Sequence, residues 1–168
     1  MVSQSRKESQ RDQQREIYLL LHNIRSTHNV GAIFRTADAV GVKKIYISGY
    51  TPAPTDRFGR ARQDISKASL GAEKTVDWES VKDIGELIQN LKKENAKILG
   101  LEQDKKSVDY SKAKPSNKNL LILGNEVGGI EKGILDLCDE ILEIPMYGQK
   151  ESLNVSVATG IVLYTLLK

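Results

Sequence analysis

The sequence predicts an α/β domain with a mostly parallel sheet flanked by helices. Short apolar runs alternate with amphipathic segments from residue 16 onward, the pattern of strands joined by crossover helices. One run, NLLILG (119–124), is continuously apolar rather than alternating, as strands covered on both faces are. The runs end in polar or glycine-rich loops at 23–29, 49–63, 102–118, 124–130 and 146–152. Ligands of such sheets bind beyond the carboxyl ends of the strands, where these loops lie.

Residues 1–15, MVSQSRKESQRDQQR, are polar and lack aromatics, so they read as a flexible N-terminal arm ahead of a single domain at 16–168. Its cations Arg6, Lys7, Arg11 and Arg15 either touch phosphates or are simply solvated. EIYLLLH (16–22) is a buried strand. A helix follows at 29–40, because Val30, Ile33, Phe34, Ala37 and Val40 recur at helical spacing. Asn29 stands at its expected N-cap and Gly41 at its C-cap. KKIYIS (43–48) is a strand, and the loop 49–63 carries Pro52, Pro54 and Gly59. A helical turn near 64–70 and a strand at 74–78 come next. Residues 80–94 form an amphipathic helix around Val81, Ile84, Leu87, Ile88 and Leu91. KILGLE (97–102), NLLILG (119–124) and EILEIP (140–145) are further strands.

The chain then runs through IPMYGQKESLNVSVATGIVLYTLL (144–167), from a strand end through a polar turn into an apolar helix. Ser152 is of a preferred N-cap type, and helix starts leave N–H groups free to hold a ligand. Val155, Val157, Ala158, Ile161, Val162, Leu163, Leu166 and Leu167 make this helix apolar on more than one face. It is either a core helix or, since a single domain rarely hides a terminal helix all round, part of a subunit interface.

At 168 residues the chain reads as one domain, large enough to bury a core without staples. The single cysteine, Cys138, excludes an internal disulfide framework and suits a reducing cytoplasm. No apolar run reaches membrane-spanning length, and the N-terminus is not signal-like. His22 and His28 are the only histidines, so a metal site is not expected. The net charge of +3 favours an anionic partner only weakly.

Three constellations stand out. In HNIRSTHNVGAIFRTADAVG (22–41), Gly31 and Ala32 permit close approach, and Arg35 lies opposite Ile33 and Val40. Arg35 either pairs with Asp38 one turn on or reaches outward to a ligand. In LILGNEVGGI (121–130), a buried strand delivers Gly124, Asn125 and Glu126 onto a glycine-rich turn. That turn brings backbone close to a ligand or is a tight turn with a solvated Glu126. It matches neither the dinucleotide fingerprint nor a P-loop. In TPAPTDRFGRARQD (51–64), Arg57, Arg60 and Arg62 surround Phe58, which suits phosphate contact and base stacking or an ordinary charged loop. No G-x-S-x-G elbow occurs, and Cys138 reads as an inert thiol.

Together and in this order, NVGAIFRTADAVG (29–41), LILGNEVGG (121–129) and IPMYGQKESLNVSVATGI (144–161) resemble the motifs of the SpoU (TrmH-like) RNA 2′-O-ribose methyltransferases of the SPOUT superfamily. KASLGAE (67–73) is similar to the stretch that follows the first motif in that family. The resemblance covers essentially the whole chain from residue 16. It implies a C-terminal trefoil knot, which sequence reasoning does not suggest because connections are almost never knotted. It implies S-adenosyl-L-methionine as methyl donor, transfer RNA or ribosomal RNA as substrate, and a homodimer with composite sites. By motif position, Arg35, Asn29, Ser152, Asn154 and Glu126 would be the catalytic set. The donor would be held near Leu101, Gly124, Asn125, Ile144, Met146 and Leu153. Arg57, Arg60 and Arg62 would hold the RNA. A non-catalytic RNA-binding protein and a base-nitrogen methyltransferase on the same fold are the alternatives.

Overall fold

The arrangement of strands explains where a ligand can sit. The computed structural model describes residues 15–168; the arm at 1–14, with Arg6, Lys7 and Arg11, lies outside them. Seven strands form one sheet: β1 (Glu16–His22), β2 (Lys44–Ser48), β3 (Trp78–Ser80), β4 (Lys97–Leu101), β5 (Val108–Asp109), β6 (Lys118–Leu123) and β7 (Glu140–Glu143). Their order is β3-β2-β1-β6-β4-β7-β5, and every pairing is parallel. The helices are α1 (Thr27–Val40), α2 (Gln63–Ser69), α3 (Ile84–Lys93), α4 (Lys132–Leu135) and α5 (Val155–Leu166).

β1 lies between β2 and the central strand β6, with Leu20 opposite Tyr46 of β2 and Ile122 of β6. After β1 the chain moves outward toward β2 and β3, whereas β6 is flanked on its other side by β4. The two therefore border a topological switch point, where open α/β sheets hold ligands. Period-two alternation divides the core into two layers. Leu19 and Leu21 face α1 and α5, joining Ile33, Phe34 and Leu163. Leu20 and Ile122 face α3, joining Ile88, Leu91 and Ile98.

Several boundaries differ from the sequence reading. α1 begins at Thr27, two residues before Asn29, because Ser26 accepts from the Asn29 N–H at 3.2 Å and takes the cap. Asn29 is thereby moved inside the helix and its side chain is released for other partners. α5 is capped by Asn154 rather than Ser152: the Asn154 Oδ1 accepts from the Ser156 and Val157 N–H groups. The strand expected at 74–78 is a short 3₁₀ turn at Ala72–Lys74, followed by β3 at Trp78–Ser80. The Thr75 hydroxyl fixes that turn by donating to Asp38 at 2.7 Å. α3 is shorter than expected because Asp83 caps it through the Glu86 N–H.

A close approach explains Gly31. A Cβ on Gly31 would lie 2.6 Å from the Ala68 Cβ and 2.7 Å from the Ile65 carbonyl oxygen, so α1 and α2 are in backbone contact there. α5 lies against α1, where a Cβ on Gly160 would meet Thr36 at 3.7 Å. Arg15 is engaged, its Nη1 donating to the Leu166 carbonyl at 3.0 Å in the last turn of α5. That bond satisfies an orphan helix carbonyl.

Candidate active site

The loops after β1 and β6 meet at Glu126. Its carboxylate accepts from the Arg25 N–H (3.1 Å), the Ser26 N–H (3.2 Å) and the Asn29 Nδ2 (3.2 Å). Asn29 is buried, and its Oδ1 accepts from the Asn154 Nδ2 at 3.0 Å. Asn154 in turn caps α5. A continuous polar chain therefore runs from the glycine-rich turn through the start of α1 to the start of α5. Burial pushes the Glu126 carboxyl up. The N–H groups of Arg25 and of Glu126 itself, the Asn29 side chain and the Ser26 N–H together outweigh burial and hold it below the usual carboxylate range.

The glycine-rich turn is closed on itself. Asn125 and Gly129 exchange backbone hydrogen bonds at 3.1 and 2.9 Å, and the Asn125 Oδ1 accepts from the N–H groups of Val127 and Gly128. A Cβ on Gly124 would sit 2.6 Å from the Gly129 carbonyl, so only glycine fits. Glu102 supports the turn from the end of β4 by accepting the Ile130 N–H at 2.9 Å. Its neighbour Gln103 donates to the Glu151 carbonyl at 2.6 Å and ties the loop 146–152 to the sheet. Sequence reasoning missed Glu102 and Gln103; their position at a strand end was the available signal.

These loops enclose a cavity of about 700 Å³. Leu101, Gly124, Asn125, Ile144, Met146 and Leu153, the residues expected to hold a donor, all line it. Asn29, Glu126, Ser152 and Asn154 line it as well. Apolar side chains, backbone and a few convergent polar groups are the usual lining of a small-molecule site, which measures roughly 300–1,000 Å³.

Arg35 is not in this cavity. It is exposed and lines a separate hollow of about 430 Å³ with His28, Ala32, Thr36 and Tyr164. The suggested pairing with Asp38 is not among the ion pairs of the described residues, and the Asp38 carboxylate accepts from Thr75. Beside this hollow α5 presents exposed Val157 and Tyr164 with half-buried Ile161 between them.

The three loop arginines have different settings. The Arg60 Nε is paired with Asp56 at 2.8 Å. The Arg57 guanidinium lies over Phe58, 4.7 Å from the ring centre. The Arg62 Nε is buried without a hydrogen-bond partner.

Other chemistries find no support. The Cys138 thiol is pushed up to about 12, chiefly by burial and then by Asp139, so it is not a ready nucleophile. His22 bonds the Ser48 hydroxyl at 2.8 Å and approaches Glu131 at 3.4 Å. His22 and Ser48 are buried, Ser48 only 4% exposed, so this pair braces β1 against β2, while Glu131 is exposed. Among the described residues no group of three or more His, Cys, Asp or Glu is placed to hold a metal ion.

Known proteins share this arrangement. The model of the SpoU rRNA Methylase family matches residues 16–164. A tRNA (guanosine(18)-2′-O)-methyltransferase of Aquifex aeolicus is 34% identical over 151 residues, 90% of this chain and 68% of that protein. The 23S rRNA (guanosine-2′-O-)-methyltransferase RlmB of Neisseria meningitidis is 34% identical over 147 residues, 88% of this chain and 56% of that protein. The chain thus spans little more than half the length of the ribosomal RNA enzyme. Among solved structures, the A. aeolicus TrmH/SpoU tRNA modifying enzyme superposes with a TM-score of 0.77 at 30% identity, covering 99% of this chain and 83% of that one. An AdoMet-bound rRNA methyltransferase of Sinorhizobium meliloti superposes with a TM-score of 0.78 at 28% identity, covering 94% of this chain and 59% of that one. With the family match running nearly from β1 to the end of α5, this chain belongs to the SpoU rRNA methylase family.

Proposed function

We propose that this protein transfers a methyl group from S-adenosyl-L-methionine to a ribose 2′-hydroxyl of transfer or ribosomal RNA, and that it does so as a homodimer. The observation that carries the reading is the cavity at the switch point, which gathers residues from all three motif segments onto one wall. Two relatives of the chain are named as 2′-O-methyltransferases of tRNA and of 23S rRNA.

The residues present fit the donor. Leu101, Ile144, Met146 and Leu153 offer an apolar wall, and the closed turn at Gly124 and Asn125 offers backbone. When bound, the donor supplies a methyl group already activated on a sulfonium. The protein then has to align the acceptor oxygen and support the charge that develops on it. Arg35 is the group for that task. A guanidinium stays protonated in proteins, so Arg35 stabilises the developing alkoxide and grips an adjacent phosphate rather than acting as a base. Asn29, Ser152 and Asn154 position the acceptor beside the donor. Glu126 is a positioning residue that holds Asn29 and the start of α1 against the turn.

Arg35 serves this reaction from a second copy of the chain. It points away from the cavity of its own chain, and the α1–α5 face around it carries Val157, Ile161 and Tyr164, an apolar stripe suited to an interface. The loop arginines Arg57, Arg60 and Arg62 hold the RNA backbone, Arg60 with its charge shared with Asp56. The C-terminal knot belongs to this proposal, as does a cytoplasmic location. Among the described residues no helix is long and apolar enough to cross a membrane.

Incubation with methyl-labelled donor and total RNA, followed by nucleoside mass spectrometry, tests the reading. A 2′-O-methyl nucleoside is expected. Label on a base, or RNA that binds without becoming labelled, overturns it in favour of base methylation or of a non-catalytic binder.

A further inference from the structure

The loop between β2 and α2 carries a feature that methyl transfer does not use. Phe58 is 66% exposed at the tip of a small closed hairpin. The hairpin is held by a Thr55–Ala61 bridge and by the Asp56 carboxylate. That carboxylate accepts from the Phe58 N–H (2.8 Å), the Arg60 N–H (3.0 Å) and the Arg60 Nε (2.8 Å). Gly59 makes the turn at φ 78°, a left-handed conformation natural to glycine. The guanidinium groups of Arg57 and Arg60 lie 4.7 and 5.0 Å from the ring centre.

Exposing a phenylalanine forgoes the stabilisation its burial would give, yet here the backbone beneath it is pinned and the ring is held out. A rigid, exposed ring flanked by cations is what base stacking on a single strand requires, because a base then binds without further ordering of the protein. The loop also links both halves of the proposed site. At its root the Tyr50 hydroxyl accepts from the Asn125 Nδ2 at 2.7 Å, on the cavity wall. At its far end it enters α2, whose Ala68 lines the Arg35 hollow. Three arginines against one aspartate give the loop 49–62 a positive balance complementary to RNA.

We infer that Phe58 is a stacking platform for an unpaired nucleobase of the substrate, so that the RNA taken by this enzyme presents single-stranded nucleotides beside the target ribose. The inference rests on the proposed RNA substrate and deepens it: the arginines meet phosphates, and the ring meets a base.

The test uses a short single-stranded oligoribonucleotide carrying 2-aminopurine, titrated into the full-length protein at several salt concentrations, with a blunt RNA duplex as competitor. Fluorescence quenching on binding is expected, with the duplex competing poorly. Phe58→Leu should weaken binding about tenfold without changing the salt slope, and Phe58→Trp should restore it. Arg57→Gln should lower the slope by about one phosphate contact. RNA bound by Phe58→Leu with unchanged affinity and quenching overturns the stacking role alone, as does a duplex that binds equally well. Failure of the unaltered protein to bind either RNA removes the RNA substrate itself, and the inference with it.

Discussion

One helix carries two candidate functional side chains in opposite conditions. At the start of α1, Asn29 is buried, donates to Glu126 and accepts from Asn154. Arg35, less than two turns later, is exposed beside an open hollow and Tyr164. The cavity proposed for the donor is thus assembled within one chain, by hydrogen bonds between segments far apart in sequence. The arginine side is left facing outward. A buried amide network costs heavily if half satisfied, so it must be completed where it folds. A guanidinium is tolerated in water and can wait for its partner.

The largest effect expected from this contrast is in Arg35→Ala. Turnover should fall by about a hundredfold or more, the scale for losing one charge-stabilising donor, while calorimetry shows donor affinity unchanged. Mixing Arg35→Ala chains with Asn154→Ala chains should recover activity, because a mixed dimer rebuilds one intact site across the interface. No recovery would place both residues in the same chain's site and break the contrast.

A middle effect is expected at the closed turn. Gly124→Ala puts a methyl 2.6 Å from the Gly129 carbonyl and should cost about 1–3 kcal/mol, the usual scale of overpacking. Thermal melting would register the loss, and donor affinity should fall with it. A variant with unchanged melting and donor binding would show that the turn is free to relax.

The smallest effect is the pH dependence of Glu126→Gln. The carboxyl is held below its ordinary value in the folded state. Its contribution is therefore present above the unfolded-state value and is lost as pH falls through the folded one. Denaturant midpoints of the two proteins should differ at neutral pH and converge as the solution is acidified below the ordinary carboxylate range. A gap that stays constant over this range would mean that the charge of Glu126 contributes nothing and only its shape matters.

Much of this arrangement was legible in the sequence, for reasons that differ by residue. β1, β2, β4, β6 and β7 follow from apolar runs, and Arg35 follows from the helical period that puts it opposite Ile33 and Val40. The residues proposed to hold the donor follow from resemblance to family motifs, and they line one cavity. The caps were misread because several cap-forming residues stand close together: Ser26 competes with Asn29, and Asn154 with Ser152, and single-chain spacing does not choose between them. The role of Glu126 was hidden because its partners, Arg25, Ser26 and Asn29, lie about a hundred residues upstream. The loop arginines read alike in sequence, yet Asp56 claims one and Phe58 another. The short edge strand β5 carries no periodic signal in its two residues.

The place of β1 between β2 and β6 has a kinetic consequence. One edge of β1 finds β2 within the next few dozen residues, but the other edge has no partner until β6 exists, as the pairing of Leu21 with Leu123 shows. Parallel neighbours this distant in the chain make folding slow. A polypeptide still being synthesised holds Asn29 ready but lacks the carboxylate that will fix it. Because Ile144, Met146 and Leu153 also line the cavity, competence to bind the proposed methyl donor emerges only once these late residues are in place too, which makes ligand uptake a direct reporter of completed assembly.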